Sequence, residues 1–304
     1  MDIVFVILHY MVDEETCKCI KYIKENIDTN NYKIIVVDNA SPNGSFSVLK
    51  EKYENDSKIV LLKNEENLGF ANGNNVGFLY AKKNLNPEFI VMMNDDAYLL
   101  DHHLLQHLNA EYSAKPFAVA GPLIISGGGN ININPTRHRI YTAEECDYII
   151  KRKKTDIFWT RLYLYEALKF CRRIKRKLFR IFHIPKKESQ YLQNNNTNNN
   201  DLPPFLCYSE NVELHGCCLI FSKRYIDKWD GLDHRTYMYC EESILYAHMM
   251  LDGERTVYMP NITVFHKGSA STDSVIKKRR NKLLFEFTNS LDSYRVLEEI
   301  LNGK

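Results

Sequence analysis

One apolar run that ends in two acids constrains this chain more than any other stretch. Residues 89–93 are all apolar, and Asn94, Asp95 and Asp96 follow directly. Such a run is typical of a strand buried on both faces of a parallel sheet. Adjacent carboxylates are costly there unless a positive group meets them, and ligands bind at the carboxyl ends of such strands. The pattern therefore predicts a cation that bridges a phosphate, and the alternative is a strand that stops in a polar turn.

Apolar runs alternate with helix-like segments through the first hundred residues. This alternation predicts an α/β fold, a right-handed βαβ series with a mostly parallel sheet. Asp38 ends the second run as Asp96 follows the fourth. A Gly/Asn-rich stretch, residues 67–77, lies between them and is predicted to be a loop that leads into a helix. Two such endings in one series favour a nucleotide site over two chance polar termini. The four runs cover residues 3–10, 33–39, 59–62 and 89–93.

Length and composition indicate a soluble globular protein. The chain has 304 residues, of which 44% are hydrophobic and 26% charged, and no apolar run approaches the ~20 residues of a membrane-spanning helix. The first strand-like run begins at once, without a basic leader, so a cytoplasmic location is expected. Eight cysteines include no C-x-x-C pair. This argues against a zinc site and favours reduced thiols, buried in the case of Cys217 and Cys218.

Residues 151–187 carry most of the positive charge. They hold 14 Lys and Arg against two acids, a net charge of +12, which leaves −10 for the rest of a chain whose net charge is +2. Apolar residues recur there at helical spacing, from Phe158 to Ile181, which predicts one basic amphipathic helix. Such a helix with aromatic flanks is typical of an element that binds an anionic membrane surface. A solvated helix packed on the body and a nucleic-acid contact are the alternatives that this interpretation outweighs, so no nucleic-acid partner is predicted.

Composition divides the chain into four predicted parts. Residues 1–125 contain the βαβ series, and residues 126–204 form a variable insertion with the basic helix and an Asn-rich linker. Residues 205–271 return to a globular pattern. Residues 272–304 are expected to be helical and either to pack on the body or to pair chains into an oligomer.

The second half carries its own acids and a histidine. Glu241 and Glu242 open a predicted helix, where negative charge favours the helix dipole, and this dipole effect is also the simple structural explanation for them. Strand-like runs cover residues 213–221, 257–259 and 262–265, and His266 follows the last of them and precedes a Gly/Ser loop. Alone, such a histidine is most often a polar strand terminus.

Taken together, these segments resemble the family-2 inverting glycosyltransferases of the GT-A fold, especially bacterial rhamnosyltransferase-like enzymes of cell-surface polysaccharide synthesis. The resemblance covers residues 3–108 and 213–271. Its motifs appear in the family's order, and the late His266-Lys-Gly-Ser fits the family's metal-side histidine. The other motifs are Val37–Ser41, Asn67–Asn75, Met93–Ala97 and Gly231–Glu242.

The resemblance implies that residues 1–125 are the nucleotide-sugar-binding half and residues 205–271 the acceptor-side, catalytic half. It also implies a role for each matching position. The backbone near His9 and Tyr10 and the carboxylate of Asp38 would hold the nucleotide base, and Asn39 would bind the donor beside them. The donor would be lined by Asn67, Gly69, Asn72 and Asn74. Asn94, Asp95 and Asp96 match the family's D-x-D region, and Asp95 would face the ribose. The metal ligands for Mg²⁺ or Mn²⁺ would be Asp96 and His266, and the catalytic base would be Glu242 or its neighbour Glu241.

The implied reaction moves a sugar from a UDP- or dTDP-sugar to a glycan or lipid-linked acceptor at the inner face of the cell membrane. It needs a hard cation on the diphosphate and one general base, but no nucleophilic side chain. Asn94 stands where the family has its first acid and Glu242 where it commonly has Asp, so the choice between Glu241 and Glu242 stays open. The alternatives are a sugar nucleotidyltransferase and a non-catalytic interaction protein. The first needs a basic Gly-rich loop after the first strand, where this chain has His9 and Tyr10.

Overall fold

The protein folds as a mixed α/β structure around one large sheet. The computed structural model describes residues 1–131, 133–181, 203–268 and 278–303. The elements of the first half follow the predicted alternation of strand and helix. They are β1 Ile3–His9, α1 Asp13–Asn26, β2 Tyr32–Asp38, α2 Ser45–Tyr53, β3 Ile59–Lys63, α3 Gly69–Asn84, β4 Phe89–Asn94, β5 Ala97–Leu99, α4 Leu104–Ala114 and β6 Val119–Ser126.

The second half adds helices outside the sheet and three more strands to it. The described elements are α5 Ala143–Arg161, α6 Tyr165–Ile181, β7 Ser209–Glu210, β8 Cys218–Ser222, α7 Lys223–Lys228, α8 Glu241–Leu251, β9 Thr256–His266 and α9 Arg279–Leu301.

Strand order explains how the two halves meet. The path through the sheet is β3-β2-β1-β4-β8-β6-β9-β5, with β7 paired to β9. Four neighbouring strands of that path come from the N-terminal half and are parallel: β3, β2, β1 and β4. Strand β8 is antiparallel to β4. The predicted α/β fold and the parallel βαβ series of its first half are thereby confirmed. Because β8 lies directly beside β4, residues of both halves reach the same carboxyl edge.

Helices cover both faces of the sheet, which is why its strands are apolar throughout. Side chains of α1, α2 and α4, among them Ile20 and Leu108, pack on one face. Side chains of α3, α7 and α8, among them Phe78 and Met249, pack on the other. A strand buried on both faces needs no alternation of apolar and polar residues.

The Gly/Asn stretch 67–77 is mostly helix, whereas the sequence predicted a loop that leads into one. Helix α3 begins at Gly69 and runs to Asn84. The Oδ1 atom of Asn67 accepts a hydrogen bond from the Gly69 amide at 2.9 Å, so a side chain satisfies a free donor of the first turn. Gly73 and Gly77 then let the helix lie close to the sheet, since a Cβ there would meet Leu8 at 2.7 Å and Val6 at 2.5 Å.

Three strand predictions differ from the structure. Residues 257–259 and 262–265 belong to one strand, β9, whose pairing with β6 shifts register between Pro122 and Leu123. Strand β8 begins only at Cys218, later than the predicted Glu213, since residues 215–217 turn towards the cavity described below. The short β5 escaped prediction because three residues carry too little pattern.

The basic segment forms two helices, so the single predicted apolar stripe from Phe158 to Ile181 is wrong. Helix α5 ends at Arg161, and Tyr163 has a positive φ of 62° before α6 begins at Tyr165. Helix α9 packs against α5 and α8, with Phe287 and Leu291 on Ile150 and Ile157. The last residues of the basic segment, 182–187, and the predicted Asn-rich linker 193–201 lie outside the described residues.

Candidate active site

Two carboxylates lie buried at the carboxyl edge of β4. The side chains of Asp95 and Asp96 are only 3% and 4% exposed. The Asn94 amide donates to the carbonyl oxygen of Cys217 at 3.0 Å, so β8 fixes the last residue of β4 from the neighbouring side. This is the edge at which the sequence predicted a cation and a phosphate.

His266 meets these acids through strand pairing. Residue 266 ends β9 and lies opposite Ala97 of β5. Its Nε2 atom lies 3.2 Å from Oδ1 of Asp96 and 3.4 Å from Nδ2 of Asn94. A carboxylate oxygen and an imidazole nitrogen are ligands that Mn²⁺ accepts and that Mg²⁺ accepts in part. The donor set therefore fits a divalent cation at this position.

A network of asparagines forms one wall of the cavity, at the start of α3. Asn39 donates from Nδ2 to Oδ1 of Asn67 at 2.9 Å and to the Gly69 carbonyl at 3.0 Å. Its Oδ1 atom accepts from Asn64 and from the Leu68 amide, both at 3.0 Å. Asn39 is thus fully engaged and holds the start of α3 against the end of β2.

Gly69 allows the start of α3 to contact the loop before α8. Its φ is +78°, and a Cβ built there would lie 2.1 Å from the Tyr237 carbonyl oxygen. The next amide, that of Phe70, donates to this same oxygen at 2.7 Å. The left-handed conformation and the close approach both require glycine. The asparagine wall and the segment that leads to Glu241 are therefore joined directly.

His9 and Asp38 lie behind this wall, fully buried. His9 binds Thr16 Oγ1 through Nδ1 and Ser45 Oγ through Nε2, each at 2.8 Å. Asp38 accepts the Ser41 amide at 3.2 Å. Burial lowers the pKa of His9, against the opposing effect of Asp38, so the ring is neutral and serves to fix α1 and α2. Of the four residues predicted to bind the nucleotide at this end of the sheet, Tyr10 and Asn39 line the cavity.

Asn72 and Asn74 point away from the cavity. Nδ2 of Asn72 donates to the His234 carbonyl at 3.0 Å, and the side chain lines a separate surface cavity behind α3. Nδ2 of Asn74 donates to the Phe70 carbonyl one turn earlier. The structure therefore does not bring these two side chains together with the Asp95–Asp96 edge.

Glu241 and Glu242 face the same cavity from the first turn of α8. Tyr239 and Cys240 just before them have φ values of 74° and 71°. Two successive left-handed residues other than glycine are uncommon and cost free energy, which the surrounding structure must offset. They turn the chain so that the Glu242 carboxylate lies over Gly216, where a Cβ would stand 3.6 Å from Oε2.

Burial changes the acidity of both glutamates. Burial raises the pKa of Glu242, and the charge of nearby Glu213 adds to this effect. Burial raises the pKa of Glu241 to about 8, with a further contribution from the charge of Glu242. Burial and the neighbouring negative charges thus keep Glu241 and Glu242 protonated to higher pH than free glutamates.

The raised pKa of Glu241 predicts a pH-dependent stability. A group whose pKa is raised on folding stabilises the native state fully below its unfolded value, here 4.5, and this contribution is lost as pH rises through about 8. We expect Glu241→Gln, which cannot ionise, to gain stability relative to the wild type as pH rises from 5 to 8. Melting temperatures of the two proteins across this range measure it.

A matched control separates this effect from a general one. Glu51 is exposed on α2, and Glu51→Gln should follow the wild type with a constant offset. If the curve of Glu241→Gln also ran parallel to that of the wild type, Glu241 would have its ordinary acidity in the folded protein.

The cavity between these groups has a volume of about 500 Å³. Its far wall is aromatic, and Phe285 of α9 lies edge-on to Tyr237 and Tyr239, with ring centroids 6.2 and 6.4 Å apart. These aromatic residues were not predicted as site residues, because only the packing of α9 brings Phe285 here. Three residues before β8 were not predicted either, and the one signal for them in the sequence is a histidine next to Gly-Cys. They are His215, Gly216 and Cys217.

A family model agrees with the motifs of the first half. The model described as glycosyl transferase family 2 matches residues 4–182. The match contains β1 to α6 and the Asp95–Asp96 edge, and it ends before Glu242 and His266. No curated protein matches the sequence.

Solved structures with a similar fold share little sequence with this chain. Residues 1–349 of TarS from S. aureus, in complex with UDP-GlcNAc, match at 12% identity and a TM-score of 0.51, over 99% of this chain and 70% of that one. The mannosyltransferase PcManGT from Pyrobaculum calidifontis, in complex with GDP-Man and Mn²⁺, matches at 10% and 0.52, over 99% and 73%. GalNAc-T7 with UDP, GalNAc and Mn²⁺ matches at 10% and 0.54, over 89% and 44%.

Proposed function

This chain belongs to glycosyl transferase family 2, and we propose that it transfers a sugar from a nucleotide-diphosphate donor to an acceptor hydroxyl with inversion at the anomeric carbon. One observation carries the proposal. Asp96 and His266 lie 3.2 Å apart at the carboxyl edge of the sheet, and Glu242 lines the same cavity. A cation position and a general base on one cavity are what a single displacement at a sugar diphosphate requires.

The donor would lie along the asparagine wall. Tyr10 and the segment 67–69 would contact the nucleoside, and Asp95 would face the ribose. Asp96 and His266 would hold the divalent cation. A cation at this position neutralises the charge that develops on the leaving diphosphate.

Glu242 would act as the base. Its carboxylate takes the proton of the acceptor hydroxyl as the hydroxyl oxygen bonds to the anomeric carbon, and the bond to the diphosphate oxygen breaks on the opposite face. Burial raises the pKa of Glu242, and a higher pKa makes its ionised carboxylate a stronger base. No covalent sugar–enzyme intermediate forms, so the reaction needs no nucleophilic side chain.

We propose a UDP- or dTDP-sugar as the donor and a glycan or a lipid-linked saccharide as the acceptor, in cell-surface polysaccharide synthesis. Complexes of the fold neighbours support a nucleotide-sugar donor, since TarS holds UDP-GlcNAc and PcManGT holds GDP-Man with Mn²⁺. The aromatic wall of Tyr237, Tyr239 and Phe285 supports a saccharide acceptor. Aromatic side chains present large apolar surfaces, on which the apolar faces of sugar rings can pack.

A thermal-shift panel tests the donor class. The full chain is melted with UDP, dTDP or GDP, or with a sugar conjugate of each, with and without Mn²⁺. We expect a metal-dependent rise with one nucleotide, because a ligand at a hundredfold excess over its Kd stabilises the native state by about 2.7 kcal/mol. No rise with any nucleotide would contradict the proposed donor site.

We propose that α5 and α6 place the enzyme on an anionic membrane surface. No helix among the described residues is long and apolar enough to span a bilayer. The turn between α5 and α6 exposes large apolar side chains beside basic ones. Phe170 is 65% exposed and Tyr163 78%, and Arg173 and Lys175 are exposed on the same helix as Phe170. Exposed aromatic residues next to basic ones are typical of interfacial helices.

Charge reversal tests this membrane proposal without removing packed structure. Deletion of residues 151–187 would disturb the core, since α5 packs on α9. We instead expect the double variant Arg173→Glu and Lys175→Glu to lose binding to phosphatidylglycerol vesicles by about tenfold or more, because each basic residue contributes about 1 kcal/mol near an anionic surface. Vesicle co-sedimentation measures the binding.

The control makes the same change of charge elsewhere. Lys50 and Lys52 are exposed on α2, and Lys50→Glu with Lys52→Glu should leave vesicle binding close to that of the wild type. Equal losses in both variants would show a response to net charge alone and would contradict a membrane face at α6.

A further inference from the structure

Two further metal-ligating side chains, those of His215 and Cys217, lie beside His266 on the cation side of the cavity. His215, Cys217 and His266 each offer one ligand atom, and these atoms lie within 4.8 Å of one another. Nε2 of His266 is also 3.2 Å from the Asp96 carboxylate. Two imidazoles and one thiol therefore share one place, and the Asp96 carboxylate adjoins it at His266.

We propose that this place also binds a second kind of metal ion. Asp96, His215, Cys217 and His266 would together hold a thiophilic divalent cation such as Zn²⁺ or Co²⁺. The inference rests on the proposed function only in sharing Asp96 and His266 with the catalytic cation. It adds two ligands that the nucleotide-bound cation does not need, and a class of ion that catalysis does not require.

The ligand chemistry selects the ion. Zn²⁺ takes four ligands in a tetrahedron from among thiolate, imidazole and carboxylate, whereas Mg²⁺ takes oxygen ligands in an octahedron. With bond lengths of about 2.0–2.3 Å, the ligand atoms of such a tetrahedron lie roughly 3.3–3.8 Å apart. The ligand atoms of His215, Cys217 and His266 lie within 4.8 Å of one another and reach such distances by small side-chain rotations. The Asp96 carboxylate, 3.2 Å from Nε2 of His266, is the nearest group to take the fourth position.

Local hydrogen bonds already hold two of these ligands together. The Cys217 amide donates to Nδ1 of His215 at 3.2 Å, which ties the imidazole to the residue that carries the thiol. The His215 amide donates to Oδ1 of the buried Asn134 at 3.0 Å, which fixes the turn before β8. The His215 ring lies 5.7 Å from that of His266. The turn therefore presents imidazole and thiol to the same side.

Binding exchanges one proton for the metal at sulfur. The S–H bond of Cys217 breaks, the proton passes to solvent, and a sulfur–metal bond forms, because a coordinating thiol is deprotonated. With all four positions taken by protein ligands, the cation has no open position for a diphosphate. We therefore expect Zn²⁺ to inhibit the transferase by occupying the place of Mg²⁺ or Mn²⁺.

Cobalt spectroscopy of the full chain, without nucleotide, tests the site. A Co²⁺–thiolate bond gives a sulfur-to-cobalt charge-transfer band in the near ultraviolet. We expect this band in the wild type and its loss in Cys217→Ser. The matched control is Cys218→Ser, since Cys218 is the adjacent buried thiol and is not among the three clustered ligands, and it should keep the band.

Zinc affinity gives a second readout. Competition with a chromophoric chelator should show a Zn²⁺ Kd at least about tenfold weaker for Cys217→Ser and for His215→Gln, because loss of an outer-shell partner alone costs 10- to 100-fold. If Cys217→Ser does not fold, His215→Gln decides the same question from the other ligand.

The outcomes separate this site from the proposed function. A wild-type protein without the band, a band that persists in Cys217→Ser, or an unchanged Zn²⁺ Kd in His215→Gln would overturn the site. A Mn²⁺-dependent thermal shift with nucleotide would still stand in each of those cases. Loss of the nucleotide shift with the cobalt band intact would instead overturn the donor site alone.

Discussion

Glu242→Gln is expected to lower turnover by about 10²–10⁴-fold, the usual contribution of a general base. The amide keeps the size of the side chain but cannot accept the proton of the acceptor hydroxyl. Nucleotide binding should persist, because the groups proposed to hold the donor and cation lie on β4, α3 and β9. Steady-state rates with a saturating donor, beside a thermal shift with nucleotide and Mn²⁺, separate the two effects.

Glu241→Gln is the matched comparison for this experiment. The Glu241 side chain is buried, and its Oε1 atom has no hydrogen-bond partner among the described residues. Burial raises its pKa to about 8, so near pH 7 only a minority of it is in the ionised form that a base requires. We expect this variant to keep most of the activity. A large loss in Glu241→Gln with activity retained in Glu242→Gln would reverse the assignment.

Asp96→Asn is expected to abolish the metal dependence of nucleotide binding. The Asp96 carboxylate is the anionic ligand nearest His266, and an amide oxygen in its place binds a divalent cation far more weakly because it carries no charge. Titration calorimetry with nucleotide, in Mn²⁺ and in chelator, measures the effect. In the wild type we expect tight binding only with Mn²⁺, and in the variant the same weak binding in both.

A surface carboxylate provides the control for Asp96→Asn. Asp227 is exposed on α7 and pairs with Lys223 at 3.1 Å, and Asp227→Asn should keep the wild-type response to Mn²⁺. If Asp96→Asn also kept that response, the cation would be held elsewhere. If the wild type bound nucleotide equally well in chelator, the nucleotide would be held without a metal.

Local patterns were sufficient for the parallel half of the fold. The apolar runs that end at Asp38 and Asn94 form the two strands that flank β1. Their pattern was clear because strands covered on both faces are apolar at nearly every position. Where the pattern was short or mixed, prediction failed. Residues 69–77 look like a loop from their glycines and asparagines, yet the tertiary contacts of α3 hold them as helix.

The basic segment shows a second kind of limit. Spacing of three and four residues from Phe158 onwards fits one long helix, but a turn at Tyr163 divides it. Periodicity records which residues can share a face and does not report where a chain reverses. Helix α5 packs on α9, which is distant in the sequence, so these contacts are invisible to a local pattern.

The sequence by itself determined which chemical groups are present: acids after β4, the glutamate pair of α8, the histidine after β9 and the glycines that permit close approach. Only the tertiary structure decided which of them meet. Asp96 and His266 come together because β5 pairs with β9, and Glu242 faces Gly216 because Tyr239 and Cys240 turn the chain. Asn72 and Asn74 carry the right groups but point away. Their direction depends on where α3 begins, and that is fixed by long-range contacts that no local pattern contains.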